Sequence, residues 1–238
     1  MSELNNPKDK RTKEKRVLEK YISPFANFFI KYKFTPNILS FLGFLCSIGA
    51  AFFIAIGVLH DFRFGWTVPV LLGFAGSFDV LDGEVARRTG NLTKTGAFLD
   101  SNLDRISDAI LILALIFSGF INFIIGYIIM FLIIMISYIR ARSEKEGVIM
   151  KGVGIMERAE RIVILMIALN VETWIYYFSG LRSGTPWVIF NPIITGKAPV
   201  TWFFLLFILV FMALLILTIG QRIIYTFKSL SKLDAQKE

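Results

Sequence analysis

The chain has 238 residues, 55% of them apolar, and its mean hydropathy of +0.64 excludes an ordinary soluble domain in favour of several membrane-spanning segments. A net charge of +8 with no nucleic-acid recognition motif excludes nucleic acid as a partner and points to anionic membrane lipid. With one histidine and one cysteine, neither a zinc site of the usual His/Cys type nor a Ser-His-Asp triad is expected, and no intrachain disulfide is possible.

Residues 1–34 form a basic arm too polar for a secretory signal peptide. Two readings of it stand: a solvated, positively charged tail, or an amphipathic helix on anionic lipid. In the second, Phe25, Phe28 and Phe29 dip into the boundary and Lys20, Lys31 and Lys33 face phosphates. Six spans of about 20 residues follow, at 37–59, 66–87, 96–117, 119–141, 157–178 and 200–222. The expected fold is therefore all-α and integral to the membrane, six transmembrane helices behind an N-terminal amphipathic juxtamembrane helix. With no repeat or long linker, the six helices make one domain over 35–228, followed by a tail at 229–238. Cys46 reads as packing, His60 as an interfacial polar residue of an outer loop, and 179–199 as a re-entrant or interfacial hairpin.

Lysine and arginine set the orientation. Most of the 26 fall in the arm, the 88–95 loop, the 139–161 region and the tail from Gln221, all on one side; Arg63, Arg182 and Lys197 lie on the other. The positive-inside rule then puts both termini at the cytoplasmic face of the cell membrane.

Between the second and third spans the chain reads DVLDGEVARRTGNLTKTGAFLDSNLD. Asp79 and Asp82 share one helical face with Gly83 and Ala86, and Gly96, Asp100 and Asp104 recur at four-residue steps. Each carboxylate at membrane depth costs about 2.5 to 3.5 kcal/mol, so four together call for a compensating cation. Oxygen ligands alone point to Mg²⁺ or Mn²⁺, one ion or two, and such ions at carboxylate clusters commonly serve phosphoryl chemistry.

Written as D-x2-D-G-x2-A-R-x8-G-x3-D-x3-D, the stretch resembles the signature of the CDP-alcohol phosphotransferases, integral membrane enzymes of phospholipid synthesis. Every signature position is filled, by Asp79, Asp82, Gly83, Ala86, Arg87, Gly96, Asp100 and Asp104, and TPN at Thr35–Asn37 extends the likeness. The resemblance implies transfer of a phosphatidyl-type group from a CDP-lipid to an alcohol, with CMP leaving. It makes Asp79, Asp82, Asp100 and Asp104 the ligands of two metal ions, with Asp104 also the base that takes the hydroxyl proton. It assigns Asn37, Gly83, Ala86, Arg87, Thr93 and Gly96 to the CDP-lipid, and it implies a homodimer. Small residues such as Gly83 and Ala86 serve close helix packing equally well, and Arg87 also reads as a positive-inside flank. Asp108 lies one turn beyond the signature and is expected to pair with Arg105 or with a neighbouring span.

A second patch, SYIRARSEKEG at Ser137–Gly147 with GIMERAERIV at Gly154–Val163, brings Arg140, Arg142, Arg158 and Arg161 towards the same mouth. The plain reading is positive-inside flanking, with Glu157 and Arg161 as an exposed i,i+4 pair. The R-A-R-S-E and E-R-A-E-R runs resemble the branch that makes phosphatidylinositol phosphate, or its archaeal ether-lipid counterpart, from inositol 1-phosphate. Where that branch often has proline, this chain has Ala159. The branch implies that Arg140, Arg158, Arg161 and Arg222 bind the acceptor's phosphate. The alternatives are glycerol phosphate or serine as acceptor in the same family, or, outside it, a divalent-cation transporter. A transporter expects acids along a route through the bilayer.

Overall fold

The computed structural model describes residues 22–61, 63–150, 152–191 and 193–235; Lys20 and the rest of the arm before it lie outside them. Residues 22–31 form a helix, α1. Six long helices follow: α2 Pro36–Ala55, α3 Thr67–Thr89, α4 Lys94–Phe117, α5 Phe123–Lys145, α6 Arg158–Ser183 and α7 Trp202–Asp234. Each expected span is one of these helices, but α7 runs well past the expected end at 222.

The chain is an integral membrane protein, and α2, α5, α6 and α7 are long and apolar enough to cross a bilayer. α3 and α4 are equally long, at 23 and 24 residues, yet fall below that hydropathy because they carry the aspartates and arginines of the site. Large apolar side chains such as Phe41, Phe52, Phe117 and Phe131 point outward, the surface of a bundle whose solvent is lipid. Within the bundle α2 packs on α3 and α4, α3 on α6, and α5 on α4 and α7 around Leu72, Ile54, Phe120, Phe204 and Leu215.

Local sequence fixes the helix ends near the aspartates. Thr35 caps α2, its hydroxyl accepting from Ile38 N–H, with Pro36 at the first helical position. Gly90, at φ +69°, ends α3, and Thr93 opens α4 by accepting from Gly96 N–H at 3.0 Å. Only a short turn therefore separates the two halves of the signature.

In α1, Ile22, Ala26 and Phe29 pack on Leu39, Leu81 and Val85, while Phe25 and Phe28, with Tyr32 just after the helix, point out. Phe29 thus belongs to the protein interior and not to the lipid boundary, because its ring meets Phe34 and Phe78. Arg88 at the end of α3 ties α1 down through Ser23 Oγ (3.0 Å) and Asn27 Oδ1 (2.8 Å).

At the opposite end the four tryptophans, Trp66, Trp174, Trp187 and Trp202, form an aromatic belt. His60 is more than an interfacial residue there: its ring stacks on Tyr176 at 3.7 Å, and Nε2 lies 3.2 Å from the fully buried Glu172 of α6. Beyond α6 the chain forms a short hairpin, with Val188–Ile189 antiparallel to Val200–Thr201. It rests on the α4–α5 turn at Gly119, where φ is +80° and a Cβ would come within 2.9 Å of the Lys197 and Ala198 nitrogens.

Candidate active site

Asp79 and Asp82 project from α3 and Asp100 from the first turns of α4. One carboxylate oxygen from each lies within 4.8 Å of the others. Asp79 stands ten residues before the end of α3 and so is recessed about 15 Å from that helix end. Asp82 is buried, and Ser40 on α2 donates to its Oδ2 at 2.5 Å. Ser40 was not signalled by the signature; its place one turn after Asn37, polar in an apolar run, is the clue available in the sequence.

Asp104 lies just outside that grouping and lines the same small cavity as the trio. Its Oδ1 accepts from Arg158 Nη1 at 2.7 Å, and the same nitrogen bonds Asp79; Arg105 is 3.8 Å from its other oxygen. Of the four aspartates expected as metal ligands, three therefore converge, while Asp104 borders them and shares Arg158 with Asp79. Among the described residues no lysine or arginine lies within ion-pair distance of Asp82 or Asp100. A hard divalent cation fits this set, being all oxygen, close-spaced and short of positive charge.

Asn37, Thr93 and Gly96 meet, although α2 and α4 supply them separately. A Cβ on Gly96 would lie 3.0 Å from Thr93 Oγ1 and 3.1 Å from Asn37 Oδ1. At Gly83 a Cβ would meet only the tip of Arg87, at 3.8 Å, so that glycine leaves open space and does not seat a helix. Ala86 is the reverse, buried in the bundle. Arg87 is largely exposed and donates to Glu84 at 2.6 Å, with Arg88 on the other oxygen of that carboxylate.

On the far side of α4 a cavity of about 310 Å³ is bounded by Asp100, Asp104, Arg140, Arg158, Arg161 and Arg222. The arginines differ in how free they are. Arg140 is partly exposed and paired with Glu144 at 3.0 Å. Arg142, expected at the same mouth, pairs with Glu146 and does not border the cavity. Arg161 is 5% exposed and donates to Asp108 Oδ2 at 2.6 Å.

The expected Glu157–Arg161 pair is not formed, because Arg161 turns into the bundle while Glu157 accepts from Gly152 N–H at 3.0 Å. Asp108 accordingly pairs with a neighbouring span and not with Arg105. Arg222, also buried, gives Nε to Val153 O (2.9 Å) and Nη1 to Ile136 O (2.7 Å). It clamps the segment leading into α6, where Gly154, at φ +105°, would bring a Cβ within 2.7 Å of Thr218.

Comparison with known proteins matches residues 33–228 to the CDP-alcohol phosphatidyltransferase family. Archaetidylinositol phosphate synthase of Methanothermobacter thermautotrophicus is 39% identical over 150 residues, covering 63% of this chain and 72% of that protein. Phosphatidylinositol phosphate synthase of Corynebacterium glutamicum is 34% identical over 204 residues, covering 75% of this chain and 85% of that protein. Two crystal structures of the Mycobacterium tuberculosis phosphatidylinositol phosphate synthase share the fold. The one with CDP-DAG bound has a TM-score of 0.64 at 25% identity, over 87% of this chain and 94% of that one. The one in complex with manganese and citrate has a TM-score of 0.65 at 26% identity, over 87% of this chain and 88% of that one.

Proposed function

This chain belongs to the CDP-alcohol phosphatidyltransferase family of enzymes, and from that premise we propose that it transfers a phosphatidyl-type group from CDP-diacylglycerol or CDP-archaeol to inositol 1-phosphate, releasing CMP. The observation that carries the acceptor is the arginine-bordered cavity of about 310 Å³ on the side of α4 away from α2. A phosphorylated polyol needs such charge-assisted donors, whereas serine or free inositol does not. The named synthases of inositol phosphate lipids among the relatives support the same acceptor.

In this reading Asp79, Asp82 and Asp100 hold Mg²⁺ or Mn²⁺, one ion or two, and Asp104 stands close enough to share the second. A metal held by these carboxylates would supply positive charge for the pyrophosphate and for the phosphate that leaves with CMP. Asn37, Thr93 and Gly96 receive the nucleotide at the α2–α4 mouth, Gly83 gives it room beside the backbone, and Arg87 donates to phosphate oxygens. Asp104 takes the proton as the acceptor oxygen bonds to the lipid-side phosphorus and the phosphorus bond to CMP breaks. Arg140, Arg158, Arg161 and Arg222 supply positive charge for the acceptor's own phosphate. All six long helices cross the bilayer, and the concentration of Lys and Arg at the aspartate end supports a cytoplasmic site.

The test is CMP release by the purified protein, given each CDP-lipid in turn with inositol 1-phosphate, glycerol phosphate, free inositol or serine. Inositol 1-phosphate is expected to be the best acceptor. A preference for glycerol phosphate, serine or free inositol overturns the acceptor assignment, and full activity in excess chelator overturns the metal.

A further inference from the structure

Asp100, Asp104 and Asp108 follow at four-residue steps along α4 and so make one stripe. Arg158 and Arg161 stand three residues apart on α6 beside it. The two series meet as rungs: Arg158 Nη1 to Asp104 Oδ1 at 2.7 Å, and Arg161 Nη2 to Asp108 Oδ2 at 2.6 Å. The first rung belongs to the reacting centre. The second lies a turn deeper, and both its members are buried yet border the cavity.

A buried ion pair is a poor device for stability alone, since an apolar pair of similar volume serves as well or better. The value of this one is in how it leaves the guanidinium. Of the five N–H donors on Arg161, one meets Asp108, another meets Met156 O at 3.2 Å, and the enclosed Nε has no partner among the described residues. Two fixed acceptors set the plane of the fork, and the remaining donors are uncommitted.

We propose that Asp108 is a positioning residue for acceptor recognition, holding Arg161 so that its uncommitted donors meet the phosphate of the acceptor in the cavity. The proposal rests on the reading of that cavity given above. Asp108 touches neither the CDP-lipid nor the reacting atoms and acts through Arg161 alone.

The test is steady-state kinetics on the full-length protein with inositol 1-phosphate and CDP-diacylglycerol varied in turn. The set is wild type, Asp108→Ala, Asp108→Glu, Arg161→Ala and the Asp108→Ala/Arg161→Ala double variant. Asp108→Ala is expected to raise the apparent KM for inositol 1-phosphate about ten-fold or more, with a smaller change in kcat and none in the KM for CDP-lipid. The double variant should be no worse than Arg161→Ala alone, because two residues acting as one unit are not additive. Asp108→Glu should recover part of the loss.

Additive effects, an unchanged acceptor KM, or an equal loss across kcat and both KM values overturns the proposal. Should the alanine variant not fold, Asp108→Asn takes its place; if neither folds, Asp108 is structural and the proposal fails. A wild type that uses no phosphorylated acceptor refutes the cavity reading itself. A wild type that uses one, with Asp108 variants of normal KM, refutes only the role of Asp108.

Discussion

Two groups of buried charge lie at opposite ends of the bundle and are built on different terms. At the tryptophan end, Glu172 is fully enclosed: Oε1 accepts from Thr201 N–H at 3.0 Å and faces His60 at 3.2 Å, and Oε2 takes the Thr201 hydroxyl. Both its oxygens are committed. At the other end, among the described residues, Asp82 and Asp100 lack an arginine or lysine at ion-pair distance and Arg158 and Arg161 each keep a nitrogen without a partner, and a cavity opens beside them. A closed knot of polar groups holds helices together, whereas an open one has interactions left for a ligand.

The difference can be broken by mutation. The largest expected effect is at the open end: Asp82→Asn or Asp100→Asn should cut CMP release by about 10³-fold or more while the thermal melt stays near wild type. A neutral amide cannot replace a charged ligand, so chelator should silence the wild type to the same extent. Retained turnover in either variant would show that these carboxylates are as structural as Glu172.

Next comes Asp104→Asn. Because Asp104 sits outside the trio, its loss should lower kcat by about 10²-fold to 10⁴-fold and leave CDP-lipid affinity, measured by equilibrium binding, largely intact. An equal fall in affinity would move Asp104 from proton acceptor to metal ligand.

The smallest effect on catalysis belongs to the closed end. Glu172→Gln weakens the contacts to His60 and Thr201, so it should lower Tm at a cost of about 1 to 3 kcal/mol and leave kcat and both KM values unchanged. Turnover lost from a Glu172→Gln protein of normal Tm would erase the contrast between the two ends.

Much of the open end was legible because its chemistry is local. Asp79 with Asp82, and Asp100 with Asp104, declare themselves at helical spacing in an apolar setting, and the cap at Thr93 fixes where the second pair's helix starts. What the sequence hid is pairing between distant helices. Local spacing offered Glu157 to Arg161, but burial of that face gave Arg161 to Asp108 instead. Nothing near His60 in the chain announces Glu172, and nothing near Asp79 announces Arg158. Phe29 read as a lipid anchor because apolar residues look alike whether the neighbour is lipid or Phe78. The split of Asp104 from the trio is likewise a matter of which helix stands opposite, information that spacing along α4 does not contain.

The clamp formed by Arg222 has a consequence in time. A chain is made from its N-terminus, so α3 and α4 reach the bilayer with their aspartates before α6 brings Arg158 and Arg161. The segment that leads into α6 is secured in turn when α7 arrives, through Arg222 and Thr218. Until α6 arrives the nascent protein carries acids without their counterions, a condition the membrane penalises. Translation arrested before Arg222 would therefore leave a chain with every residue of the aspartate signature and the segment entering α6 unclamped.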